Sequence, residues 1–586
     1  MIDNYLQKFS MSWLPLGLSA LLSSIISHPT KAQVVDPIQL PPPQDLQPVV
    51  PVPQAPTTPP QPLPPPADLF PPAPAPSTPE YQLPENIPQT ITVERFEVIG
   101  STVFSAEELA AATAEFIQRP ISLAEIFQAR TQITELYISK GYITSGAYIP
   151  PQTIRSGVIK IQVVEGQLED IQVTGTQRLD SNYVRSRLAI ATSAPLNRQE
   201  LLAALQLLQL DPLIETLSAE LSAGLHPGTS ILQVKIQEAK TFSVQAILDN
   251  GRSPSVGSFR RRLQLNEANL LGSGDSLSLT YTNTDGSNAL DTSYTLPVNP
   301  HNGTLTLNWG TAASNVIERP FNILDIQSSS HYYELTFRQP LLQTPTQEFA
   351  LGVTASRRES DISSSLLEQN ETPLSELSPG ADAAGSTRIS AIRFFQEWTS
   401  RNTQEVMALR SQFNLGIGAF NATINPELPD SRFLAWQGQA QWVRLLAPET
   451  LLILRGNTQL ASRALLPLEQ VGLGGVNSVR GYRQDLLLTD NGAVASAEVL
   501  LPIVRWPQID SLLQVVPFVD FGVAWNNNAQ NPDPNTLASV GLGLRWTQGN
   551  NFTARLDWGI PLVSVQQQNK TWQENGLYFY LQYNSL

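Results

Sequence analysis

The sequence predicts two copies of a small α+β module, each ordered strand–helix–helix–strand–strand (βααββ), followed by a transmembrane antiparallel β-barrel of about 16 strands. Three observations lead there. Helical periodicity recurs between Thr90 and Ala239 and then gives way, from Thr241 onward, to strict apolar–polar alternation. The alternating apolar faces end repeatedly in tryptophan, at Trp309, Trp442, Trp546 and Trp558, the placement expected of aromatic girdles at membrane interfaces. Only 15% of residues are charged, against roughly 25% in soluble domains, yet the mean hydropathy of −0.11 is too low for a bundle of membrane helices. Strands that are apolar on one face only satisfy both limits.

The first 89 residues precede any pattern of a folded core. Residues 1–32 read as a signal peptide: Lys8 comes before the apolar run 13–26, and Thr30 and Ala32 are the small residues ahead of a cut after Ala32. Residues 33–89 read as a proline-rich disordered linker. Proline removes amide donors and favours extended polyproline II, so this stretch is a stiff, solvated spacer with P-x-x-P patterns available to a partner. The chain has no cysteine, which excludes disulfides and thiolate chemistry, and its four histidines are scattered. No catalytic constellation, metal site or cofactor is expected. The net charge of −15 argues against nucleic acid as a partner.

Residues 90–166 form the first module. "ITVERFEVIG" alternates as a strand, and capping boxes at Ser105–Glu108 and Ser122–Glu125 open two helices. Leu123, Ile126, Phe127, Ile133, Leu136 and Tyr137 share one face of the second helix. "ITSGAYIP" and "GVIKIQVVEG" complete the order as strands. Residues 167–239 repeat it, with "LEDIQVTG", two helices (the second opened by an Asn197–Glu200 box), "IETLSAEL" and "GTSILQVKIQE". One larger α+β domain is the alternative. The stretch "GYITSGAYIPPQTIRSGVIKIQVVEGQLEDIQVTG" resembles the junction between two POTRA domains of two-partner secretion transporters, the haemolysin secretion/activation family. Gly141–Tyr142, Pro151, Gln152, Gly157, Glu165 and Gly166 fall where that family's pattern has them. The resemblance implies modules in the periplasm that receive an unfolded exoprotein, and an exposed sheet edge offers the route, by strand addition.

Residues 240–586 form the barrel. In "SLSLTYTN" and "TLTLNWG" apolar and polar residues alternate, and "FTARLDWG" sets Arg555 and Asp557 against Phe552, Ala554, Leu556 and Trp558. The charged faces then line a wet lumen, and the apolar faces meet outer-membrane lipid. Connections are expected to be asymmetric: "NLLGSGDS" is tight, whereas Arg357 to Thr387 is long, acidic and unstructured. "LDNGRSPSVGSFRRRLQLNEANLLGSGDSLSLTYTN" resembles the family's first hairpin.

"GLGGVNSVRGYRQD" interrupts the alternation. Its glycines do not match a dinucleotide-binding spacing between strand and helix, so phosphate binding is set aside. Val479, Arg480, Gly481 and Tyr482 match instead the VRGY signature of the long sixth loop in the superfamily of POTRA–barrel proteins. Phe518, Asp520 and Gly522 match its F-x-D-x-G signature. The resemblance places that loop against the inner wall near Asp520. Asp520 alternates with Val519 and Phe521, so it faces the lumen, and a pair with Arg480 at ~4 Å is worth up to about 4 kcal/mol at an effective dielectric near 20. Gly481 and Gly522 are expected to let the two backbones approach. Asp485 and Asp490 read as solvated loop residues. Two features depart from the family pattern: no plug helix is visible ahead of the modules, and Leu586 follows the last aromatic, Tyr583. The implied function is secretion of a large exoprotein through an outer-membrane barrel, with no enzymatic step. Barrel-assembly factors share both signatures but commonly carry more modules. Two modules and the Pro151–Gln152 junction favour secretion.

Overall fold

The computed structural model describes Pro65, Leu69 and residues 90–154, 156–369, 373–566 and 571–585. The expected signal peptide, and all of the linker except Pro65 and Leu69, lie outside the described residues. Leu69 is 2% exposed and belongs to the hydrophobic core of the second module, so the linker does not run past that module without touching it.

Both capping boxes of the first module form. Ser105 and Ser122 each accept the amide three residues on and receive the reciprocal bond from Glu108 and Glu125. The first helix is shorter than its pattern suggested: Ala106–Ala112 ends at Thr113, and a single 3-10 turn, Ala114–Phe116, follows. The strand "ITVERFEVIG" is broken into Ile91–Val93, which pairs with Arg119–Ile121, and Arg95–Ile99, which pairs in parallel with Val158–Val164. The break falls where the Glu94 amide donates to the Gly157 carbonyl at 2.8 Å, so the chain changes partners there. Along the helix Leu123–Ser139 the buried residues are Ile126, Ala129, Ile133 and Tyr137. Phe127, one step off that stripe, is exposed rather than part of the core.

The second module keeps the simple βααββ order: Gln167–Thr174, Ser181–Ile190, Arg198–Gln209, Ile214–Ala223 and Thr229–Glu238. In both modules the last strand is central, parallel to the first and antiparallel to the third-placed one, which is the structural signature of the repeat. Asn197 caps its helix through the Gln199 amide, so a simple cap stands where a box with Glu200 was expected. The modules are tied together by backbone bonds, Leu196 amide to Gly166 carbonyl at 2.8 Å and Arg198 amide to Gly141 carbonyl at 2.9 Å.

The barrel closes with sixteen strands, from Phe242–Asp249 to Leu577–Ser585, and these two terminal strands pair antiparallel between Val244↔Ser585 and Asp249↔Tyr580. Connections at the module-bearing end are short, such as 344–346, 402–404 and 448–449. Those at the other end are long, such as 365–385, 418–433 and 462–490. The acidic segment from Arg357 is not wholly a loop. Strand Gln347–Ser364 runs through its first quarter, where Arg358 faces inward onto Glu334 at 3.0 Å, and the connection proper starts at Ser365 with a short helix. Similar pairs line the lumen elsewhere, among them Arg338–Glu397 at 2.7 Å and Arg455–Glu498 at 2.9 Å. No helix among the described residues is long and apolar enough to cross a membrane.

The second module is fastened to the barrel's short turns. Arg178 reaches Glu267 at 2.8 Å, Thr241 at 2.9 Å and the Asn269 carbonyl at 3.1 Å, and the Asp180 amide donates to the Gly272 carbonyl at 2.8 Å. Burial pushes the Glu238 carboxyl up, but amides of Gln177, Leu179 and Arg178 that donate to it more than offset this and hold its pKa below the ordinary value.

Candidate functional site

The sixth outer connection, residues 462–490, is long and folds into the barrel. Its two arms zip together as Val471–Leu473 against Leu487–Thr489 and present the VRGY stretch at the tip. Arg480 is 4% exposed and Asp520 1%, while Val519 and Phe521, on the outer face, are each 49% exposed. The loop is therefore in the lumen.

Arg480 grips Asp520 with two prongs, Nε to Oδ2 at 2.7 Å and Nη2 to Oδ1 at 2.8 Å, and its backbone amide adds a third bond to Oδ2 at 3.1 Å. The planar guanidinium allows this fork, which lysine cannot make. Nη1 donates to Glu498 at 3.1 Å, and the guanidinium lies 3.5 Å from the centroid of the Phe518 ring, a cation–π contact. Glu498 also receives Arg455 and Arg555, and Arg555 pairs with Asp557 at 2.8 Å. Arginine and acid alternate through this cluster, so each buried charge has opposite neighbours.

Tyr482 donates from its hydroxyl to the Ala538 carbonyl at 2.8 Å and accepts the Val563 amide at 3.0 Å. Val479 packs with Leu473, Tyr482, Ala524 and Leu537. The glycine expectation needs correcting. Gly481, at φ +98°, lies against Gly559 rather than Gly522: a Cβ on Gly559 would come within 2.6 Å of the Gly481 nitrogen. Gly522 instead leaves room for the side chains of Leu473 and Val479. Asp490 is also corrected. It is buried, accepting the Leu465 amide at 2.8 Å and the Asn527 amide at 3.0 Å, and so fixes the foot of the loop. Asp485 is half-buried and accepts from Gln484 at 2.8 Å.

Four residues outside the expected set complete the site. Tyr578 of the last strand accepts the Gly481 amide at 3.1 Å and donates to the Tyr482 carbonyl. Glu498 carried a signal, as the one charged residue between Asn491 and Val504 in an otherwise apolar alternation. Glu469, on a short 3-10 turn of the same loop, is held by Arg393 and Arg358 from two neighbouring strands of the wall. Nothing in "LPLEQ" announced it. Gly559 had no sequence mark either.

In the first module, Pro151 is exposed. Gln152 clips its loop to the sheet by donating to the Lys160 carbonyl at 2.7 Å and accepting the Lys160 amide at 2.8 Å. Gly157 has φ +65°, and a Cβ there would meet Glu94 Cγ at 2.8 Å. Glu165 accepts from the Thr102 amide at 2.7 Å, the Val103 amide at 3.2 Å and the Tyr137 hydroxyl at 2.8 Å. Burial pushes its carboxyl up, but these bonds and the Thr102 hydroxyl outweigh it and leave the pKa below the ordinary value. A Cβ on Gly166 would overlap Thr144. Gln152 and Gly157 thus shape the first module itself, while Gly166 joins it to the second. Among the described residues no cluster of three His, Asp or Glu side chains is placed to hold a metal.

A closed sixteen-strand barrel with an ion-paired lumen, a long loop clasped inside it and α/β modules at the short-turn end defines an outer-membrane transport barrel with periplasmic modules. The chain belongs to the haemolysin secretion/activation protein ShlB/FhaC/HecB family, whose model matches residues 228–546. Residues 91–166 match the POTRA domain, ShlB-type. The Heme/hemopexin transporter protein HuxB of Haemophilus influenzae is 22% identical over 481 residues, covering 78% of this chain and 80% of that one. The Outer membrane transporter CdiB of Dickeya dadantii is 22% identical over 487 residues, covering 81% and 82%. The solved structure of CdiB from Escherichia coli superposes with a TM-score of 0.64 at 21% identity, covering 88% of this chain and 94% of that one. BamA from Haemophilus ducreyi, solved without its POTRA domains 1–3, matches with a TM-score of 0.50 at 14% identity, covering 85% and 100%, and shares the fold.

Proposed function

We propose that this outer-membrane transporter takes a large, unfolded exoprotein from the periplasm and passes it through the barrel to the cell surface. One observation carries the reading: the VRGY loop is clasped to Asp520 inside a barrel that directly follows two strand-edged modules. Residues 90–166 and 167–239 act as two POTRA domains. Each has a three-stranded sheet whose edge strands pair with no further strand among the described residues, Arg95–Ile99 and Gly146–Tyr148 in the first, Gln167–Thr174 and Ile214–Ala223 in the second. An extended client segment adds there by backbone bonding. The outward Val, Leu and Phe side chains face lipid, and the acidic chain does not engage nucleic acid. No cofactor or hydrolytic step takes part, and folding of the client outside supplies the drive. The clasp, not any catalytic group, is the working part.

The test is deletion of Leu168 to Glu238. The remaining chain should still give a heat-modifiable, membrane-inserted barrel, but cells co-expressing the exoprotein should release none. Normal release would overturn the receiving role of the modules.

A further inference from the structure

Three residues beyond Arg480, the signature loop carries a second buried arginine. Arg483 donates from Nη1 to Glu318 Oε1 at 2.7 Å, from Nη2 to Glu318 Oε2, and from Nη2 to the Ser255 hydroxyl at 2.8 Å. Glu574 lies 4.0 Å away. Glu318 belongs to the third outer connection, 316–325, and Ser255 to the first, 250–259. The neighbouring Gln484 amide donates to Gln573 Oε1 at 2.9 Å, and Gln573 in turn donates to the carbonyls of Asn250 and Arg252. Gln573 is fully buried and lies in the last outer connection, 562–576.

The first outer connection is not a solvated loop. Its residues 250–256 are all buried, although four of them are polar, Asn250, Arg252, Ser253 and Ser255. The Ile317 amide donates to the Ser255 carbonyl at 2.9 Å, and the Gly286 amide to the Val256 carbonyl at 3.0 Å. So the first connection is stitched to the second and third, and through Arg483 and Gln573 to the sixth and eighth. An exposed hairpin turn needs none of this. Buried polar backbone costs free energy unless it is satisfied, and here other outer connections satisfy it.

We infer that residues 250–257 form an outer gate over the lumen, latched shut by Arg483 and Gln573, and that this latch is separate from the Arg480–Asp520 clasp deeper in the barrel. Arg483 and Gln573 are positioning residues: they hold the gate, and they couple it to the signature loop, so that a loop displaced by client carries the gate with it. This rests on the transporter reading, but ion current through the empty barrel tests it without any client.

The experiment is planar-bilayer recording of the purified full chain in potassium chloride. Arg483→Ala, Glu318→Ala and Gln573→Ala should each raise the open-state population by about tenfold or more, the shift expected when a bond to a buried charged or polar group is lost. The swapped double variant Arg483→Glu with Glu318→Arg should return towards wild-type closure, which a merely misfolded outer rim would not do. Because the chain has no cysteine, Ser255→Cys with Arg483→Cys can be bridged by a cleavable bis-thiosulfonate reagent. Bridging should silence openings, and reductant should restore them. Wild-type gating in the three alanine variants, or openings that persist in the bridged protein, would overturn the latch.

Discussion

Half-buried Glu165 and fully buried Asp520 are both carboxylates surrounded by donors, but the donors differ in kind. Around Glu165 they are neutral: the amides of Thr102 and Val103 and the hydroxyls of Thr102 and Tyr137. They come from the same folded unit as the acid, so the bonds form when the module folds and stay. Around Asp520 the principal donor is a cation on a loop that enters from the far end of the barrel. Its alternative partners stand beside it, with Arg555 and Arg455 already on Glu498. Arg480 and Glu498 in that cluster each therefore have a second opposite charge within reach, whereas the Glu165 carboxylate has only neutral donors of its own module. Glu165 braces one module from within, and Asp520 holds a loop that arrives from elsewhere in the chain.

Neutralising each acid in place sharpens the contrast. Asp520→Asn should have the larger effect, since breaking one partner of a buried pair costs about 3–5 kcal/mol. Only the loop depends on that pair, so the barrel should remain heat-modifiable while protease reaches residues 474–486. Protection equal to wild type would show that the loop is held by packing instead.

Glu165→Gln should cost the first module less, about 1 kcal/mol at neutral pH, by weakening charge-assisted bonds. The pH dependence follows from the sign of the shift. The folded pKa is depressed, so the carboxylate stabilises the module above its unfolded value near ~4.3 and loses that contribution as pH falls through the folded value. Calorimetry of the full chain in detergent should show wild type melting higher than Glu165→Gln at about pH 7 and the two converging as the pH falls through the folded value. A gap that stays constant with pH would mean the charge is not what the bonds recognise.

The smallest effect is expected in the proline-rich tract. Replacing Leu40 to Pro79 with glycine and serine should cost little secretion, and restoring Leu69 alone should recover what is lost, because Leu69 is buried in the second module's core. Complete loss of export would give the tract a docking or gating role of its own.

What was legible in the sequence was whatever local chemistry repeats. Alternation marked the barrel strands, the Ser–Glu spacings marked two helix starts, and Asp520 between Val519 and Phe521 showed which way it faces. What was hidden depended on distant partners. Gly559 is needed only because Gly481 comes to rest on it, and Glu469 can be buried because Arg393, far away in the sequence, meets it. Asp490 read as solvated because loop carboxylates usually are, yet here backbone amides of residues 465 and 527 converge on it. Arg358 read as loop because the stretch it stands in is long and acidic, and nothing local shows that Glu334 of the neighbouring strand meets it.

The most direct test of the clasp is export by five variants measured beside barrel insertion: Arg480→Ala, Arg480→Lys, Arg480→Asp, Asp520→Arg and the double swap Arg480→Asp with Asp520→Arg. All should insert as heat-modifiable barrels. Export should fall steeply in Arg480→Ala and both single swaps, and recover in part with lysine, which keeps the charge but not the fork. The double swap should export more than either single swap, yet less than wild type, because Glu498 stands 3.1 Å from the Arg480 guanidinium and would repel an acid there. Wild-type export by all five, or a double swap no better than the singles, would contradict the clasp.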